Sequence, residues 1–173
     1  GFLSYTINST ADAARGFGEI QYVASGDASG FAAASATVSP ADCLIDIIAA
    51  IKSQHLREAS FLMNRATKAT VRKFKDYSTG NFIWQPGIAL GEPDQLLGYP
   101  LKISDSMPAI AGDAYPIAFG NFKRAYTIVD RLGVRMLRDP YTNKPYVGFY
   151  TTKRVGGFVK DSQAVKVLKI ASA

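Results

Sequence analysis

The sequence is short of the residues that most chemistry needs: of its 173 residues, one is cysteine (Cys43) and one is histidine (His55). A single cysteine excludes an internal disulfide and any multi-cysteine zinc site, and a single histidine removes most metal and acid–base chemistry. Cys43 reads as a small apolar residue near a helix start. His55, among Gln54, Arg57 and Glu58, reads as a solvated residue at a helix end. No apolar run approaches the ~18 residues that a bilayer span requires. The start, Gly1-Phe2-Leu3-Ser4, has no positive stretch ahead of an apolar core, so it does not read as a signal peptide. It also lacks an initiator methionine, and the expectation is a chain that has been cleaved, trimmed or cut.

Motifs are equally sparse. There is no Gly-x-Ser-x-Gly elbow, and a Ser–His–Asp triad would have to use His55. Neither Gly-x-x-x-x-Gly-Lys-Ser/Thr nor Gly-x-Gly-x-x-Gly occurs, and Gly16-Phe17-Gly18 is too short a piece of the latter to cradle a phosphate. Two of the fourteen acids converging for glycoside chemistry is a pairing that sequence alone cannot test. No catalytic, cofactor-binding or metal-ligating residue is therefore assigned, and the chain does not read as an enzyme.

What is present is the composition of an ordinary globular protein, 47% hydrophobic and 20% charged, with a net charge of +6. The length suits one domain, or one domain with an added strand layer. The charge is polarised. Residues 1–50 carry one arginine against Asp12, Glu19, Asp27, Asp42 and Asp46, a net of −4, whereas residues 131–173 carry nine Lys/Arg against Asp139 and Asp161, a net of +7. Such polarity fits a nucleic-acid surface and equally fits two ends that meet opposite charge on neighbouring subunits.

Residues 1–38, rich in Gly, Ala and Ser, read as an irregular wrapping segment with one strand-like piece, Ile20-Gln21-Tyr22-Val23, and a loop over Ser25–Gly30. Ser39 as N-cap, Pro40 at the first position and Asp42 three residues on start a helix whose Leu44, Ile47, Ile48 and Ile51 form one apolar stripe. Ala59–Met63 reads as a buried strand. Asn64 caps a second helix that turns Val71 and Phe74 inward and Arg65, Lys68, Arg72, Lys73 and Lys75 outward. Beyond a turn at Ser78–Asn81, short strands are expected at Asn81–Trp84, Tyr99–Ser104 and Ile117–Phe119, with a loop over Gly87–Asp94. A strand at Ala125–Asp130 continues through Val134–Leu137, and a proline-flanked turn follows at Asp139–Pro145. Tyr146–Val155 and Ala164–Ile170 read as long terminal strands joined through Gly156-Gly157. Helix, strand and helix in ~35 residues, followed by strands, indicates an α+β sheet packed on its helices.

The best nucleic-acid candidate is the basic helix Arg65–Lys75, since phosphate contacts need Lys/Arg on one exposed face. The plainer alternative is a solvated face. Lys153 and Arg154 lie on a strand, where successive side chains point to opposite faces, so they do not form one patch.

The ordered series Phe61-Leu62-Met63-Asn64-Arg65, Arg72-Lys73-Phe74-Lys75-Asp76, Gly80-Asn81-Phe82-Ile83-Trp84, Leu96-Leu97-Gly98-Tyr99-Pro100-Leu101 and Ser106-Met107-Pro108 resembles the major capsid proteins of tailed phages, the Hong Kong 97-type fold. It continues through Ile117–Phe122, Ile128–Arg131, Arg138–Pro145 and Thr151–Gly157, in order, over most of residues 40–170. The likeness is closest to versions in prophages and gene-transfer agents of alphaproteobacteria. It implies a structural subunit of an icosahedral capsid that self-assembles into pentamers and hexamers around packaged DNA. Gly1-Phe2-Leu3 would then follow a long spine helix, with the N-terminal arm, an extended loop and that helix absent. Residues 1–132 would form the axial domain, and residues 133–173 the returning strands of the peripheral domain. The implied partners are other copies of the chain, scaffold, protease or portal proteins, and DNA held without sequence specificity, with no membrane. The implied location is the virion capsid, assembled in the bacterial cytoplasm. The turn Arg138–Pro145 resembles a loop that neighbours share near threefold positions, which gives Arg138, Asp139, Tyr141, Asn143 and Lys144 as expected assembly contacts. The glutamate that assists isopeptide welding in some members is replaced by Thr152, and the asparagine position holds Pro145 with Asn143 only nearby, so covalent welding is not implied. The rival reading is a basic nucleic-acid-binding domain. A third, a small hydrolase or transferase, would need a pocket of converging polar groups.

Overall fold

A computed structural model describes residues 7–8, 18–84 and 95–172. In chain order the elements are β1 (Ile7–Asn8), β2 (Ile20–Ala24), α1 (Asp42–Ala49), α2 (Ser53–Leu56), β3 (Ser60–Met63), α3 (Arg65–Arg72), β4 (Gln95–Leu96), β5 (Tyr99–Ile103), β6 (Ile117–Gly120), α4 (Phe122–Ala125), β7 (Tyr126–Asp139), β8 (Gly148–Val159) and β9 (Val165–Lys169). Seven strands form one mixed sheet in the order β1-β2-β9-β6-β3-β5-β4, and β7 and β8 form a separate two-stranded ribbon.

The strands at the middle of the sheet are covered on both faces, and a strand buried on both sides carries an unbroken apolar run instead of an alternating one. Every residue of β6, Ile-Ala-Phe-Gly, is buried. Ile117 and Phe119 join Leu44 and Ile47 of α1, Phe61, Val71 and Leu168 in one core cluster. Ala118 joins Ile20, Val165 and Val167 in a second cluster on the opposite face. Phe119 lies 4.4 Å from Phe61 and 5.0 Å from Tyr99 between ring centroids, within the range where aromatic pairs add to their area burial. Gly120, with φ +149°, pairs with Val165. A Cβ there would fall 2.2 Å from the carbonyl oxygen of Ala164, so only glycine lets β6 and β9 approach this closely.

The helices follow their local signals. Asn64 caps α3, its side chain accepting from the Ala66 amide at 3.1 Å. The expected start of α1 is shifted: the regular helix begins at Asp42, with Ala41 at the cap position. Ser39 and Asp42 still bond reciprocally one turn earlier, the Asp42 carboxylate accepting from Ser39 N at 2.8 Å and Ser39 O from Asp42 N at 3.0 Å, while Ser39 Oγ accepts from Ala41 N at 3.3 Å.

Several expectations are corrected. The strand-like piece expected at Ile20–Val23 is a strand, Ile20–Ala24, and it pairs on both sides, with β1 and β9, inside a segment otherwise taken as irregular. Asn81–Trp84 is no strand; a single bridge joins Phe82 to Lys75, because the tight turn held by the Asp76 side chain leaves room for little more. His55 is buried, at 1% exposure, and not solvated. Gly156 and Gly157 lie inside β8 opposite Val129 and Ile128, and residues 160–164 make the connection to β9. Residue 132 falls within β7, and β9 pairs with β2 and β6 in the large sheet, not with the ribbon. Gly1–Ser4, Gly16-Phe17 and the loop expected over Gly87–Asp94 lie outside the described residues.

Candidate assembly ribbon

A two-stranded antiparallel ribbon is at best marginally stable alone in water, and this one is long: β7 has 14 residues and β8 has 12. It is anchored at its root, where Ala125 and Val159 are buried in the second core cluster. From Ile128 outward its shaft is exposed almost throughout.

The exposed residues are not those of a solvated strand. Residues directly opposite on paired strands share a face. One face thus carries Ile128, Val155, Met136 and Phe149, and the other Phe158, Val129, Leu137 and Tyr150. Leu137 and Tyr150 stand opposite each other and are 66% and 67% exposed. Both faces present large apolar side chains, which a soluble monomer rarely displays in one contiguous patch. Charge is interspersed: the ribbon from 126 to 159 holds Arg131, Arg135, Arg138, Lys144, Lys153 and Arg154 against Asp130 and Asp139. Lys153 pairs with Asp130 at 2.8 Å, both about half exposed, a geometry worth little on its own. The register slips between Asp130 and Leu132 and again between Leu132 and Arg135. Such bulges bend a strand and re-aim its side chains.

At the far end, the Asp139 carboxylate organises the turn. It accepts from the Thr142 hydroxyl and from the amides of Tyr141 (2.9 Å) and Thr142 (3.3 Å). The Thr142 hydroxyl first, and the Tyr141 amide next, hold its carboxyl below the usual carboxylate range. Tyr146 N donates to Asn143 O at 2.7 Å across the same turn. Of the five expected contact residues, Arg138 and Asp139 end β7, and Tyr141, Asn143 and Lys144 lie in the turn, so the fold brings all five to the ribbon tip. Tyr141 is 81% exposed. The apolar shaft is what the sequence reading does not bring out. Its signal is adjacent apolar residues on one exposed strand, Met136-Leu137 and Phe149-Tyr150, which place apolar groups on both faces at once.

The other candidate sites hold less. Of the expected basic helix Arg65–Lys75, only Arg65–Arg72 is helical; the Arg72 guanidinium lies 5.9 Å from the centre of the Trp84 ring, and Lys75 Nζ, beyond the helix end, lies 5.2 Å from that of Phe82. Two of the cations of this stretch are thus laid on neighbouring aromatics. A cavity of about 610 Å³ beside β5 is lined by Arg57, Glu58, Ser60 and Lys102 among others, but His55 is not part of its wall. Cys43 is buried, its Sγ donating to Pro40 O at 3.4 Å. Burial first, with Asp46 and Asp42 adding, pushes its thiol up to about 12. Among the described residues no group of three or more His, Cys, Asp or Glu is placed to hold a metal, and no helix is long and apolar enough to cross a membrane.

Comparison with family models matches residues 1–170 to the phage capsid family. Among solved structures, the chain is similar to the capsid of an empty GTA particle computed with C5 symmetry, with a TM-score of 0.80 at 46% identity over 99% of this chain and 56% of that one. It is similar to the capsid of a native GTA particle, also computed with C5 symmetry, with a TM-score of 0.79 at 46% identity over 99% of this chain and 60% of that one. A structure from Gordonia phage Cozz shares the fold, with a TM-score of 0.53 at 13% identity over 100% of this chain and 52% of that one. The chain therefore spans less than two thirds of the length of these relatives. No curated protein sequence matches it.

Proposed function

The chain belongs to the phage capsid family, and on that premise we propose that it is a structural subunit of a phage-type shell whose β7–β8 ribbon is buried between subunits. The observation that carries the reading is the ribbon itself, a two-stranded sheet with apolar side chains on both faces and, among the described residues, little chain against them. Covering such surface in an assembly repays its exposure in the free subunit, since roughly 25 cal/mol is gained per Å² of apolar area removed from water. Many modest contacts repeated by symmetry then hold a shell without any reactive group. The GTA particle capsids it resembles were computed with C5 symmetry, which supports other copies of the same chain as the principal partners.

Within this reading the seven-stranded sheet corresponds to the axial domain and the ribbon to peripheral strands, with β9 returning to the axial side. Arg138, Asp139, Tyr141, Asn143 and Lys144 make contacts at the ribbon tip. The basic ribbon and the acidic residues 1–50 supply complementary charge, which sets register between copies more than affinity. The shell would be built into pentamers and hexamers in the bacterial cytoplasm and enclose DNA without reading its sequence. Scaffold, protease or portal proteins are further partners of such a particle. The engagement of Arg72 and Lys75 with aromatic rings weighs against the basic helix as a dedicated nucleic-acid site.

The test is expression of the protein at full length, with electron microscopy and sedimentation velocity of the product. Closed particles in which the ribbon amides exchange slowly are expected. Subunits that stay monodisperse at every concentration, with ribbon amides exchanging freely, would refute the assignment.

A further inference from the structure

The ribbon is a cantilever, and the angle at which it leaves the sheet decides where its tip arrives. Eleven or so paired positions at ~3.3 Å per residue make an arm of roughly 35 Å, so a tilt of about 5° at the root moves the tip by about 3 Å. A shift of that size is enough to separate two docked side chains.

At the root, the Ala125 carbonyl accepts from the amides of Lys160 (2.8 Å) and Asp161 (3.3 Å), and Asn121 N donates to Ala164 O at 2.8 Å. One short stretch of chain, α2 with its flanking residues, reaches across to both sides of this root at three points. Lys52 Nζ donates to Gln163 Oε1 at 2.7 Å. His55 Nε2 lies 3.5 Å from Asp161 Oδ2. Glu58 Oε2 accepts from Asn121 Nδ2 at 3.2 Å. Lys52 is the N-cap of α2, His55 lies within it and Glu58 just past its end, so all three contacts come from one short segment. Gln163 and Asp161 follow β8, and Asn121 precedes β7 while its Oδ1 accepts from Arg124 N at 3.2 Å to start α4. Both strands of the ribbon are therefore gripped from one segment, with buried His55 at its centre.

We propose that Lys52 and Glu58 are positioning residues of this clamp, which fixes the angle of the ribbon for assembly; the inference rests on the ribbon being the assembly surface. Lys52 and Glu58 are themselves exposed, and exposed polar links of this kind contribute little to folding. Their geometry controls orientation, and the buried clusters beneath control stability. That separation makes the two roles distinguishable.

The experiment compares full-length wild-type protein with Lys52→Ala/Glu58→Ala and with the conservative pair Lys52→Arg/Glu58→Gln, which keeps a donor toward Gln163 and an acceptor for Asn121. The alanine pair is expected to melt with the wild type. Its Lys160 and Asp161 amides should exchange about 10-fold faster, and its particles should be heterogeneous in diameter or open. The conservative pair should restore both readouts. Unchanged exchange at Lys160 and Asp161 overturns the clamp, and so does faster exchange with particles of wild-type size. If the wild type itself forms no particles, the assembly reading fails separately, and exchange at the root alone then decides whether the clamp exists.

Discussion

Leu137 and Tyr150 face each other across the ribbon at about two-thirds exposure each, and replacing both by threonine isolates their role. Threonine is a good strand former, so the ribbon keeps its backbone preference and loses only apolar bulk. Full burial of a leucine or a large aromatic side chain is worth roughly 1.5–3 kcal/mol. Covering the exposed two-thirds of both should therefore contribute about 2–4 kcal/mol to each subunit's contacts. At about 1.4 kcal/mol per factor of ten, the concentration needed for assembly should rise by roughly 30- to 1,000-fold. Folding should hardly respond, since substitutions at solvated positions usually stay within about 0.5 kcal/mol. Circular dichroism and thermal melting would check the fold, and sedimentation velocity across a concentration series would locate the assembly threshold. Particles forming at the wild-type concentration would show that this face is not covered in the shell, and the argument from the ribbon would fail.

Gly120→Ala should cost about 3 kcal/mol or more, because its Cβ would meet the backbone at Ala164 O and Val165 Cα; a urea midpoint unchanged from wild type would contradict the close β6–β9 approach. With the Cys43 thiol pushed up to about 12, its thiolate fraction at pH 8 is on the order of 1,000-fold below that of an ordinary cysteine. A thiol reagent should therefore label Cys43 only after unfolding, and rapid labelling of native protein would count against its burial. Asp139 has its folded pKa depressed below the ordinary 3.8, so its contribution to the tip turn is present above that value and is lost as pH falls through the folded pKa. Amide exchange at Tyr141 and Thr142 should stay slow from neutral pH down to the ordinary aspartate range and quicken only below it, and Asp139→Asn should abolish that acid step; a step near pH 6 would exclude Asp139 as its source.

Local features of the fold were legible because their causes are local. Asn64 caps α3 through an amide two residues away, and the buried run of β6 needs no distant partner to be recognised as a strand. Long-range choices were not legible. Nothing in Val165–Lys169 says that it will insert between β2 and β6, since an apolar strand pairs with whichever neighbours the topology offers. His55 sits among polar neighbours in sequence, and the residue it meets in the fold, Asp161, comes from a far part of the chain. Gly156-Gly157 punctuates a sequence convincingly, yet in the fold a Cβ on Gly157 would strike the Tyr126 ring. The glycine there makes room for an aromatic on the opposing strand. The five tip residues were named from turn chemistry and family likeness, whereas the shaft needed the pairing register before its two apolar faces appeared.

The strands β6 and β9 are antiparallel neighbours, and everything between them, from Asn121 to Ala164, leaves the sheet and comes back to a single hydrogen bond between those two residues. The ribbon is thus spliced into what would otherwise be an ordinary hairpin. A short turn in its place would leave the order of the seven strands untouched. The length and decoration of the spliced arm can therefore change while the sheet that carries it stays the same.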